Sequence, residues 1–292
     1  MASIRDIKRR RESIQNTQHI TKAMKLVSTV KLQKARMRAE NSQPYFRKMY
    51  DTVQSILLQS ENIDHPYLKE NGSPKKAVIV VTSNRGLAGG YNQNIVRRIT
   101  DSGLKKEDVE IYGIGKKGIE AFRRKGYVIA SDDSMMISDP SFTDATEIGR
   151  KVLAAYTAGE VGEIYLAYTH FQSTVVHIPE LIKLLPVEIP SEKMQEKGEK
   201  EGVDSGKAQM NYEPTAEESL NLLIPKYMSS LIYGAFVEAV ASENGARMQA
   251  MDAATNNAEE MIESLSLAYN QARQGAITQE LTEIISGAEA LN

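Results

Sequence analysis

The sequence contains no cysteine. That excludes disulfide bridges, thiolate nucleophiles and cysteine-ligated zinc or iron–sulfur sites, and it leaves the redox compartment open. No run of 18 apolar residues occurs, and the start MASIRDIKRRRESIQ lacks the apolar stretch of a secretory signal. Neither a membrane-spanning segment nor a secretory leader is therefore expected, while peripheral attachment through another subunit stays open. An excess of one charge is missing as well: 36 Lys/Arg against 38 Asp/Glu leaves −2, which does not mark a strongly basic nucleic-acid binder. The histidines His19, His65, His170 and His177 are not spaced as HExxH or HxH, so surface or hydrogen-bonding roles are expected of them. What remains is a chain of 292 residues, 41% hydrophobic, long enough to bury a real core, with a length prior of about two domains.

The near-zero total hides an asymmetry. Residues 1–48 hold 13 Lys/Arg against 3 Asp/Glu, and residues 213–292 hold 3 against 12. The first 57 residues lack glycine and are rich in Ala, Met, Leu, Lys, Arg and Gln, which reads as one long helix. Ile4, Ile7, Ile14, Ile20, Met24, Val27, Val30 and Leu32 recur near every third or fourth residue and are read as one apolar stripe. Pro44 is expected to kink or interrupt this helix, and HPY and NGSP at 65–74 punctuate its exit.

From Lys76 the period changes. AVIVVTS at 77–83 reads as a buried strand followed by the glycine-rich turn SNRGLAGG and a helix through YNQNIVRRI. VEIYGIG at 109–115 and YVIAS at 127–131 read as further strands, with KKGIEAFRRKG helical between them. A helix near 144–158 and strands at 163–171 and 174–186 complete an α/β domain, its last two strands suited to an antiparallel edge hairpin. Residues 191–214 are polar and read as a loop or linker. From Ala216 to about Gly287 helix resumes, with no proline after Pro225. Val237, Asn244, Met251, Ala258, Leu265 and Ala272 repeat every seven residues, with Val240, Arg247, Ala254, Met261 and Ala268 three residues later. This is a thin coiled-coil seam on a rod on the order of 90 Å long. The basic first helix and the acidic last helix are the natural mates, so the expected form is an antiparallel stalk carrying a globular domain.

Local motifs argue less than this pattern. SNRGLAGG is neither GxxxxGK[ST] nor a full GxGxxG; IYGIGKKG contains GxGxxG through Gly113, Gly115 and Gly118, with Asp132 or Asp133 downstream, and a structural turn is the favoured reading. The basic residues of the first helix could follow a phosphate backbone, but the acidic partner lies in the same chain and no aromatic precedes Tyr45, so a helix face is favoured. Asp132, Asp133, Asp139 and Asp144 suit loop and helix-cap roles better than acid/base or metal chemistry. AYNQARQGAITQELTEIISGAEALN suits a slender tip enclosed by other chains, or equally a tolerated weak helix; Gly275 costs about 1 kcal/mol within it.

Four stretches together, IRDIKRRRESIQNTQHITKAMKLVSTVKLQKA, SNRGLAGG, ENGARMQAMDAATNNAEEMI and YNQARQGAITQELTEIISGAEAL, resemble the gamma subunit family of the F-type ATP synthase, bacterial type, in order and over essentially the whole chain. The resemblance implies a long antiparallel coiled coil of N- and C-terminal helices flanking a Rossmann-like α/β domain. It divides the chain into a shaft helix at 1–60, an α/β domain at 75–190, a loop at 191–214 and a second shaft helix at 215–292. It further implies a non-catalytic central rotor, one copy per complex, within an alpha3-beta3 hexamer and in contact with the epsilon subunit and the c-ring. That rotor couples proton-driven rotation to ATP synthesis, and ATP hydrolysis to reverse rotation, at the cytoplasmic face of the cell membrane. The implied protein is peripheral, without direct membrane insertion, cofactor, metal or nucleic-acid partner. Carried onto this sequence, the family pattern puts Met24 and Lys25 near the beta-subunit lever, and Arg273, Gln274, Thr278 and Glu280 against beta-subunit catch loops. Where the family commonly reads SDRGLCGG, this chain has Asn84 and Ala88; the first is expected to alter a local salt bridge, the second to fill a buried cysteine position. A nucleic-acid-binding coiled-coil protein and a nucleotide-dependent α/β enzyme are the alternatives of different class.

Overall fold

The computed structural model describes residues 4–59, 65–187 and 216–289, so the expected loop at 191–214 lies outside the described residues. Ten regular elements follow in order: α1 (Ile4–Gln59), β1 (Lys76–Val81), α2 (Tyr91–Thr100), β2 (Val109–Ile114), α3 (Lys116–Arg124), β3 (Val128–Asp132), α4 (Phe142–Thr157), β4 (Glu163–Phe171), β5 (His177–Leu185) and α5 (Ala216–Glu289). They divide into two compact units, one made of Met1–Val30 with Arg247–Asn292, the other of Lys31–Ala246.

In the larger unit a five-stranded sheet has the order β3-β2-β1-β4-β5. The first four strands are parallel and β5 returns antiparallel to β4, the expected edge hairpin. Alternate residues of β1 point to opposite faces, and both faces are covered, which is why KAVIVV is apolar almost throughout. Ile79 and Val81, with Ile114, Ile164 and Leu166, pack against α4 (Ile148, Val152, Tyr156), the end of α1 (Val53, Ile56) and the start of α5 (Ile224, Met228, Ile232, Phe236). Val78, Val80, Val109 and Ile111 pack against Ile95, Val96 and Ile99 of α2 and Phe122 of α3.

Pro44 does not break α1, which continues to Gln59. The carbonyl it deprives of a partner belongs to exposed Glu40, where water can satisfy it. Asp144 caps α4 reciprocally with Ser141, as its sequence position suggested. His65 is a buried anchor: its Nδ1 accepts from the Tyr67 N–H, which leaves Nε2 protonated and donating 3.0 Å to Asn221 Oδ1 on α5.

Candidate functional site in the paired helical arms

In the smaller unit the first part of α1 runs antiparallel to the last part of α5. Thr21 Oγ1 and Thr255 Oγ1 share a hydrogen bond of 2.8 Å, Lys25 Nζ lies 2.5 Å from Asp252 Oδ1, and the Arg11 guanidinium sits 5.3 Å over the Tyr269 ring. The inward row of α1 is Ile4, Ile7, Arg11, Ile14, Gln18, Thr21, Lys25 and Ser28, with Thr21 and Ser28 the buried members. Ile20, Val27 and Val30, read from the sequence as part of that stripe, are exposed instead. A three-and-four spacing can be drawn through either row. The mixed row turns inward because Thr21 and Ser28 are short enough for the helices to approach there, and the Thr21 hydroxyl is satisfied by Thr255 and by the Gln18 carbonyl.

The acidic arm departs less from its reading. Met251 and Ala258 are buried and Leu265 and Ala272 half-buried, as the heptad reading required; in the companion row Arg247 is buried and Ala254 and Ala268 half-buried, but Met261 is 50% exposed. Thr255, Ile262, Tyr269 and Ala276, one residue further along, are half-buried too, so the contact face is broader than two heptad rows. Lys25–Asp252 is a cross-helix ion pair of this unit, its side chains 39% and 47% exposed, and pairs so exposed contribute little each. The opposed charges of the arms therefore act mainly as a diffuse attraction, weakened by salt.

The residues that the family pattern singles out fall into two places. Met24 and Lys25 are half-buried in the seam. Arg273, Gln274, Thr278 and Glu280 lie exposed some 21 residues beyond Asp252, about 30 Å along the helix axis. The Thr278 hydroxyl returns to the Gln274 carbonyl at 2.9 Å, whereas Arg273 and Glu280 have no side-chain partner among the described residues. The pairings of Thr21, Lys25 and Arg11 put Ile4 opposite the region of Ala276. Residues 277–289, about 20 Å of α5, thus have no described residue of α1 beside them. Ile277, Leu281, Ile284 and Ile285 line one side of this stretch and are exposed. The apolar row is not among the residues that the sequence reading singles out in this tip; its i, i+4, i+7, i+8 spacing is the signal available.

The glycine cluster of the larger unit is filled from within. A Cβ on Gly115, whose φ is +108°, would lie 2.1 Å from the Thr82 carbonyl oxygen; on Gly113 it would meet Ile119 and on Gly118 the Thr82 side chain. Thr82 Oγ1 accepts from the Gly118 N–H and donates to the Gly115 carbonyl, both at 3.0 Å. Strand order reverses between β1 and β4, the place where open α/β sheets receive ligands. There α5 is tied down instead: the Tyr91 hydroxyl donates to the Ala239 carbonyl and Ser242 Oγ to the Thr169 carbonyl. Asn84 makes no salt bridge: its amide donates to the Ser134 carbonyl and its Oδ1 accepts from the Lys116 N–H, while Ala88 is buried. Asp133 holds Lys151 at 2.6 Å, raising the pKa of that lysine, and Asp139 takes Arg38, which lowers its own. Among the described residues no group of three His, Asp or Glu could hold a metal, and no helix is long and apolar enough to cross a membrane.

These features define a protein of long paired helical arms attached in sequence to an α/β unit. The family described as ATP synthase matches residues 3–291. The ATP synthase gamma chain of Lachnoclostridium phytofermentans is 63% identical over the full length of both chains, and that of Alkaliphilus metalliredigens 45% over 99% of this chain and 98% of its own. The sodium-ion-specific gamma chain of Acetobacterium woodii is 39% identical over 99% of each chain. In fold, a chain of the Euglena gracilis mitochondrial ATP synthase matches with a TM-score of 0.66 at 18% identity, covering 99% of this chain and 94% of its own. A chain of the Tetrahymena thermophila central stalk and c-ring matches at 0.58 and 23%, covering 80% of this chain and 99% of its own. The chain belongs to the ATP synthase gamma-chain family. Gamma chains are the non-catalytic central-stalk subunits that couple rotation to catalysis.

Proposed function

We propose that the smaller unit is the working end of this rotor and turns inside a ring of three alpha and three beta chains. The bare end of α5 carries the reading: an apolar stripe of Ile277, Leu281, Ile284 and Ile285 beside exposed Arg273, Gln274, Thr278 and Glu280. Apolar side chains left exposed among the described residues suit enclosure by a surrounding sleeve, and the polar residues supply contacts that change as the helix turns. Arg273, Gln274, Thr278 and Glu280 then meet the beta-chain catch loops. Met24 and Lys25 meet the beta-chain lever from the seam, where Lys25 already shares its charge with Asp252. Because the two faces of the pair differ chemically, each angle presents a different surface to a given beta site and biases its conformation. The larger unit faces the epsilon chain and the c-ring, so that the protein sits peripherally at the cytoplasmic face of the membrane and ion flow through the ring drives it.

Assembly of the chain with matching alpha and beta chains, with a marker on the α/β unit, tests this directly. ATP-driven rotation of the marker is expected, and replacing Arg273 or Gln274 by Leu is expected to weaken coupling while leaving the thermal unfolding of the free chain within about 0.5 kcal/mol of wild type. Well-assembled complexes whose marker does not rotate would refute the rotor reading. Leu variants that rotate and synthesise ATP as wild type does would refute the catch-loop assignment.

A further inference from the structure

At the amino edge of the sheet, three neighbouring segments bring seven cations together: Arg97 and Arg98 in the last turn of α2, Lys105 and Lys106 before β2, and Arg123, Arg124 and Lys125 at the end of α3. Both helices run antiparallel to the parallel strands they connect, so their carboxyl ends lie at the same edge, and α2 packs beside α3. Lys106 bridges two of the segments, its ammonium 5.8 Å from the Tyr127 ring centre and close against Gly126. All seven residues are exposed. None has a carboxylate partner recorded among the described residues, whereas Lys75, Lys76, Lys117, Lys151 and Lys183 of the same unit each do. The acids at this edge are Asp101, Glu107 and Asp108, with Glu110, which Lys75 already occupies, and Glu120, which Lys117 holds and whose charge Arg124 also attracts.

We propose that this edge is a docking surface for anionic phospholipid headgroups. Cations at helix carboxyl ends complement the helix dipoles, which explains Arg97, Arg98, Arg123 and Arg124 singly. It does not explain Lys105 and Lys106, which belong to neither helix and complete an unpaired group of the size that recognises anionic lipid. A protein partner fits less well: interface centres are apolar and aromatic, and here Val128 is the large apolar side chain left bare beside the cluster. Headgroup attraction is diffuse over a Debye length of about 8 Å and has no angular register, so it holds a turning body near a bilayer without a preferred stopping angle. The inference rests on the rotor reading only for the nearness of a membrane.

Co-sedimentation of the full-length chain with vesicles tests it independently of rotation. At about 0.1 M salt the chain is expected to partition at least about tenfold more strongly onto phosphatidylglycerol-containing vesicles than onto pure phosphatidylcholine, and to lose the difference near 0.5 M salt. The variant Arg97→Gln, Arg98→Gln, Arg124→Gln, Lys125→Gln should lose at least about tenfold of that preference. An arm variant of equal charge change, Lys8→Gln, Arg9→Gln, Arg10→Gln, Lys22→Gln, should keep it within about threefold. If the first variant unfolds, Lys105→Gln with Lys106→Gln serves, with a loss of about fivefold or more. Wild-type chain without lipid preference overturns the proposal, as does an edge variant that binds as wild type or an arm variant that loses as much. Stronger capture by polyglutamate than by phosphatidylglycerol at equal charge overturns it in favour of an acidic protein.

Discussion

Replacing Ile277, Leu281, Ile284 and Ile285 together by Ser separates what α5 needs to fold from what it needs to work. The four side chains are 50%, 54%, 68% and 60% exposed, so the free chain gains little from them. Surface substitutions of this kind change stability by about 0.5 kcal/mol or less each, plus a helix-propensity cost of a few tenths. Enclosure by a sleeve would remove the remaining surface. Complete burial of a Leu or Ile side chain is worth about 1.5–3 kcal/mol, and rather more than half of that is still available at each position. The four together then offer about 4–7 kcal/mol to assembly, an upper bound before the cost of fixing the side chains. The free variant should unfold within about 2 kcal/mol of wild type by tyrosine fluorescence in urea, yet dissociate from the alpha–beta ring at least about a hundredfold faster, measured by exchange against labelled wild-type chain. Exchange at the wild-type rate by a folded variant would refute the claim that this stripe is the enclosed surface.

Two further perturbations address the α/β unit. Thr82→Val keeps shape but removes the hydroxyl that bonds the Gly118 N–H and the Gly115 carbonyl, and Thr82 is fully buried. A loss of about 2–4 kcal/mol is expected in urea unfolding, with faster hydrogen exchange at Gly118; a loss below about 0.5 kcal/mol would mean the turn holds without it. Burial lowers the pKa of His177, whose Nε2 lacks a hydrogen-bond partner. The unfolded chain then binds a proton at a pH where the folded chain does not. Stability from this group is complete above the unfolded value of about 6.5 and falls as pH drops through it toward the lower folded value. The urea midpoint should decline from pH 7 to 5.5, less so in His177→Leu; equal slopes would exclude His177 as the cause.

The course of the α/β unit was legible because its strands are short apolar runs buried on both faces and its turns carry glycine, so pattern and burial coincide. The arms were legible as helices, yet the rows that meet were legible only in part. Ile20, Val27 and Val30 looked like a seam, but Thr21 and Ser28 occupy it; Met261 looked like a core position, but Thr255 and Tyr269 make the cross-helix contacts. Hydrophobic periodicity identifies apolar rows without saying which row faces the neighbouring helix and which is kept for another chain. In a protein whose exposed rows are themselves apolar, the two are easily exchanged. The glycine motif was ambiguous for a different reason: its meaning depends on Thr82, more than thirty residues away in sequence and in contact only after folding. The basic edge escaped notice because its members are scattered over Arg97 to Lys125 and converge only through the parallel sheet.

The middle of the seam also bears on how the free chain meets proteases. Where Thr21, Ser28, Thr255 and alanines join the helices the pair gains less from burial than the α/β unit does, so it opens more readily there and offers cleavable backbone. The enclosure proposed above would suppress that opening by mass action, leaving a chain outside a complex the more open to proteolysis.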